Sequence, residues 1–75
     1  MIPLTLAPEG SEVRVIDIRA GRGLVARLLE LGITPGSTLR VLKTFGSGPI
    51  LLDVKGSRIA LGRGVAMKIL VGVVQ

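Results

Sequence analysis

A helical rhythm that stops at Gly32 and restarts as a β rhythm at Thr38 constrains this chain more than any other feature. Residues 22–31 read as a helix. At about 100° per residue, Leu24, Leu28 and Leu31 cluster on one side, with Val25 and Leu29 beside them. Arg27 and Glu30 fall opposite, near enough to pair weakly. Leu24 and Leu28 are therefore expected in the core, and Val25 or Leu29 at its edge. Gly32 stands where a helix C′ residue needs positive φ, and Ile33 is the apolar contact that closes such a cap. Pro35-Gly36 suits the centre of a type II turn, with Pro fixing φ at the first position and Gly supplying φ > 0 at the second. From Thr38 to Val41 the pattern alternates with period two. A helix thus hands over to a strand through a connection of fixed geometry.

The remainder reads as β structure. Residues 1–11 form a leading arm, with turn chemistry at Ala7 to Ser11. Glu12 to Ile18 reads as a strand with Val13 and Val15 on one face. Its alternation slips at Ile16-Asp17-Ile18, as a bulge or a strand covered on both faces would require. Ile50, Leu52 and Val54 alternate with Leu51, Asp53 and Lys55, and Lys55-Gly56-Ser57 is a tight hairpin turn. Ile59 and Leu61 face inward. Gly62 to Ala66 reads as a single helical turn or a 3-10 connector. Ile69, Val71 and Val73 form the last strand, while Leu42, Leu51, Leu70 and Val74 fall out of phase with the inward set. Most of those four are expected to lie under the helix or the leading arm. Short strands in so small a domain favour a curled or closed sheet. The expected fold is mainly β: a small SH3-like five-stranded barrel, with one α-helix after the first strand and a short helical turn before the last. It forms a single domain over residues 1–75.

Composition narrows the chemistry. A 75-residue chain with no cysteine has no disulfide or thiolate metal staple, so its aliphatic core must hold it. It contains no histidine and no tyrosine either. The carboxylates Glu9, Glu12, Asp17, Glu30 and Asp53 follow no motif spacing, and no serine has an evident activating base, so an enzyme is not expected. With neither imidazole nor thiolate, only a weak oxygen-donor site could form, so no metal site and no cofactor are expected. Phe45-Gly46-Ser47-Gly48-Pro49 and Gly21-Arg22-Gly23 lack phosphate-loop spacing and read as a hairpin loop and a strand-to-helix turn, though the second opens a helix N-terminus, where anions can bind. No apolar run approaches the ~20 residues of a membrane span. The net charge of +5, with an isoelectric point near 11.3, is dispersed along the chain and points to an acidic partner. Phe45 is the only aromatic residue. Base stacking therefore has no platform, and neither has an aromatic groove for proline-rich ligands.

Several stretches together resemble a known family. RLLELGITPGSTLRV at 27–41 is similar to the central signature of FeoA-type domains. Gly48-Pro49, VKGSRIALGR at 54–63 and AMKILV at 66–71 continue the pattern, so the resemblance runs from about residue 4 to residue 72. It implies a small SH3-like cytoplasmic protein of bacterial ferrous-iron uptake that acts with FeoB, a membrane permease carrying a cytoplasmic G-protein domain. The same fold occurs as the C-terminal domain of iron-dependent repressors. Since 75 residues leave no room for a helix-turn-helix domain, the stand-alone member is the better match.

These readings converge on a binding module. The helix rim at Arg22, Val25 and Leu29 and the loop tip at Phe45 are the candidate partner-binding residues, because an apolar patch with arginine is what interfaces favour. The expected partner is the cytoplasmic part of the FeoB-type permease, with the membrane reached only through it. Two alternatives remain open: a basic β-barrel that binds nucleic-acid phosphates, and a regulatory domain that takes an anion or a small peptide.

Overall fold

Aliphatic residues at every second position build the sheet, and the breaks between them are glycine and proline turns. The computed structural model describes residues 1–75. Its strands are β1 (Ile2–Pro3), β2 (Glu12–Ile18), β3 (Thr38–Thr44), β4 (Ile50–Val54), β5 (Ser57–Leu61) and β6 (Ile69–Val73). Helix α1 (Arg22–Glu30) follows β2, and the single turn α2 (Arg63–Ala66) precedes β6. A 3-10 turn at Leu4–Leu6 completes the leading arm.

All pairings are antiparallel, in the order β1-β6-β2-β3-β4-β5. The mainly β, SH3-like class is the expected one, but the strands number six. The additional strand lies in the arm, where Ile2 pairs with Val71 and Pro3 with Leu70. Two residues are too short to show a period, so this strand exists only through its partner. β1 and β5 do not pair with each other, and the curled sheet stays open between them.

Val13, Val15, Leu39, Val41, Ile50, Leu52, Ile69 and Val71 are all buried and form the inward face. Leu28 is the α1 residue that reaches this core, at 1% exposure. Leu24 is half-buried and packs against the core. Leu31, expected beside them, is exposed, because the helix ends just before it and the chain turns away at Gly32. Arg27 and Glu30 form no ion pair. Val73 is exposed rather than inward, while Leu61 is buried and Ile59 half-buried. Of the out-of-phase residues, Leu42, Leu51 and Leu70 are half-buried and Val74 is exposed.

The slip at Ile16 is a bulge. The β2–β6 register shifts between Val15 and Asp17, which leaves Ile16 unpaired and exposed. Its side chain lies over Gly72, where a Cβ would stand 3.7 Å from Ile16 Cδ1. A second shift falls between Val41 and Lys43.

Candidate functional site

Helix α1 is set in place by its C-terminal closure. Ile33 N–H donates to the Leu28 carbonyl at 2.8 Å, and Gly32 N–H to the Leu29 carbonyl at 2.9 Å. With Gly32 at φ +87°, these two bonds make a Schellman motif. Ile33 is fully buried beside them. Gly36 at φ +95° and the Ser37 N–H to Thr34 carbonyl bond of 2.9 Å give the turn expected at Pro35-Gly36. Ser37 Oγ ties cap to turn: it donates to the Gly32 carbonyl at 3.0 Å and accepts from Thr34 N–H at 3.1 Å.

Held this way, α1 faces the end of β5 and the start of α2 across an apolar cleft of about 280 Å³. Leu24, Leu28 and Leu31 form one wall, with Arg27 beside them. Ala60, Leu61, Gly62 and Val65 form the other. Two of the four residues of this second wall, Ala60 and Gly62, are small, so the cleft stands open opposite three leucines. Its volume lies near the lower end of that typical of ligand sites, ~300 Å³ and above.

Charge is distributed unevenly. Glu9 accepts from Thr44 N–H at 2.7 Å and from Thr44 Oγ1 at 3.2 Å. The backbone bond in particular holds its carboxyl below the usual glutamate range. Glu12 meets Arg40 at 3.4 Å, and Arg40 also donates to the Gly10 carbonyl. Asp17 pairs with Arg19, also at 3.4 Å. Asp53 accepts from Gly56 N–H at 2.8 Å. Most carboxylates are thus engaged within the chain. Arg14, Arg22, Arg27, Lys55, Arg58 and Lys68 have no such partner.

Arg22, Val25 and Leu29 share a flank of α1 that does not line the cleft. Arg22 and Leu29 are exposed and Val25 is half-buried. Phe45 stands on the β3–β4 loop, 52% exposed, with Lys43 Nζ 5.9 Å from its ring centroid. The Arg63 guanidinium donates to the Gly46 carbonyl, which ties this loop to α2, while Arg63 Nε is buried without a partner. The loop therefore joins the α2 side of the cleft, and the helix rim lies on the far side of α1. The cleft itself escaped sequence reasoning. Its only local signal is the pair of small residues, Ala60 and Gly62, close to the hairpin. No group of three or more His, Cys, Asp or Glu comes together as a metal site, and no helix is long and apolar enough to cross a membrane.

Comparison with known proteins adds a near full-length likeness. The FeoA domain family model matches residues 2–73. A Methanocaldococcus jannaschii protein, provisionally described as Fe(2+) transport protein A, is 51% identical over 71 residues, covering 95% of this chain and 85% of its own. The crystal structure of an iron uptake regulatory protein (FeoA) superposes with a TM-score of 0.88 at 34% identity, covering 97% of this chain and 96% of its own. A manganese-dependent transcriptional repressor in complex with manganese superposes at 0.87 with 27% identity, covering 96% of this chain and 36% of the repressor.

Proposed function

This chain belongs to the FeoA domain family, and we propose that it is a non-enzymatic accessory protein of ferrous-iron uptake that binds the cytoplasmic part of a FeoB-type permease. The observation that carries the reading is the cleft between α1 and the β5–α2 corner. It is an apolar concavity with an arginine among its lining residues, in a chain 51% identical to a relative described as an Fe(2+) transport protein. Apolar surface with arginine is the composition that protein interfaces concentrate. Iron is carried by the partner: without histidine or cysteine this chain offers mainly oxygen donors, a poor match to ferrous iron. The chain works in the cytoplasm, where the permease presents its G-protein region. Unpaired cations speed encounter with an acidic face and make association sensitive to salt.

Calorimetry tests this, with the purified cytoplasmic domain of the cognate permease at low and physiological salt and a random-sequence RNA alongside. Saturable binding to the domain, weaker at the higher salt, with weak binding to RNA, is the expected result. No binding to the domain together with tight, salt-steep, sequence-blind binding to RNA would overturn it in favour of a basic β-barrel that binds nucleic-acid phosphates.

A further inference from the structure

The open edge of the sheet has a definite chemistry. Lys55 and Gly56 both have positive φ, +53° and +89°, so the β4–β5 connection is a two-residue hairpin closed by the Val54–Ser57 pair. In an antiparallel ladder, residues bonded to the partner alternate with residues whose backbone points away from it. Ser57, Ile59 and Leu61 therefore bond to β4. Arg58 and Ala60 direct their N–H and C=O groups to the outside, where β5 has no neighbour. The opposite edge is blunted: β1 is two residues long and one of them is proline. β5 carries no proline and no register shift.

That same edge borders the cleft, since Ala60 and Leu61 line it. A strand laid along β5 would send alternate side chains into the cleft against Leu24, Leu28 and Leu31. The side chains between them would lie on the outer face beside Arg58. This face is cationic and unsatisfied. Asp53 sits directly opposite Arg58 across the hairpin, yet its carboxylate turns to the Gly56 amide and leaves Arg58 without an acid. Glu30, the carboxylate of α1, is not among the residues that line the cleft. A second copy is a poor occupant, because antiparallel pairing of β5 with itself brings the two Arg58 side chains together in a chain of net charge +5.

We propose that the β5 edge and the α1 cleft together bind an extended segment of the partner protein, alternating apolar with acidic residues, by strand addition. Main-chain bonds to Arg58 and Ala60 supply affinity, and the cleft with Arg58 selects the sequence. The proposal rests on the accessory reading above and assigns it a surface.

The probe is an acetylated, amidated heptapeptide of alternating glutamate and valine, added to the isotope-labelled full chain and followed by amide NMR. Saturable shifts around the cleft, with slowed exchange at the Arg58 and Ala60 amides, are the expected result. Affinity should fall at least tenfold with Arg58→Glu, or when lysine replaces the peptide's glutamates. It should vanish when the three central peptide residues are N-methylated, a change that leaves the protein intact. Three results would overturn the proposal: no shifts up to millimolar peptide, undiminished binding of the N-methylated peptide, or concentration-dependent protection of Arg58 and Ala60 without peptide, which would make a second copy the occupant. The permease domain separates the two claims. If it binds Arg58→Glu as tightly as the parent chain, the surface is wrong and the accessory reading stands. If the peptide behaves as expected and the domain does not bind, the surface stands and the accessory reading falls.

Discussion

At Gly32 the backbone adopts φ +87°, and Val54 Cγ1 lies 3.3 Å from where a Cβ would be. Both facts penalise a side chain, so Gly32→Val should lower stability by more than ~1 kcal/mol. An unchanged thermal melt would contradict the cap. Ser37→Ala removes the hydroxyl that links the Gly32 carbonyl to the Thr34 amide and should cost about 1 kcal/mol in denaturant titration. Glu9 has a lowered pKa in the folded chain, caused first by the Thr44 backbone bond. Its contribution is thus present above the unfolded pKa and is lost as pH falls through the folded one. The Thr44 amide resonance should titrate with a midpoint below the usual glutamate value, and Glu9→Gln should remove that titration. Gly32 and Pro35-Gly36 were legible in the sequence because positive φ and fixed φ each call for a residue type. The partners of Glu9 were not, since Thr44 is 35 residues away and meets it only once the arm folds back.

Among the elements, α1 divides its leucines sharply. Leu28 is 1% exposed and Leu29 58%. Leu28→Ala should therefore cost ~2–5 kcal/mol, while Leu29→Ala should stay within ~0.5 kcal/mol by the same denaturant measurement. Equal costs would contradict the helix orientation. The helical stripe, the Ile16 bulge and the Lys55–Gly56 hairpin could all be read from the chain, because each leaves a period or a break in one. β1 leaves neither. The cleft was hidden for a related reason: three helical leucines acquire an open wall only when the fold brings Ala60 and Gly62 opposite them.

Across the whole molecule, the sequence announces a positive charge but not where it is free. Arg40 is neutralised because the β2–β3 register sets Glu12 directly across from it, and that register is a tertiary fact. Arg27 at the cleft and Arg58 on the β5 edge stay unpaired. Partner association should therefore slow as ionic strength rises, and Arg58→Glu should flatten that dependence. The most direct test of docking at this cleft and edge is amide hydrogen exchange across the full chain, with and without the permease's cytoplasmic domain. Protection concentrated at Arg58, Ala60 and residues 24–31 is the predicted result. Protection confined to β2 and β6, or none at saturating domain, would contradict it.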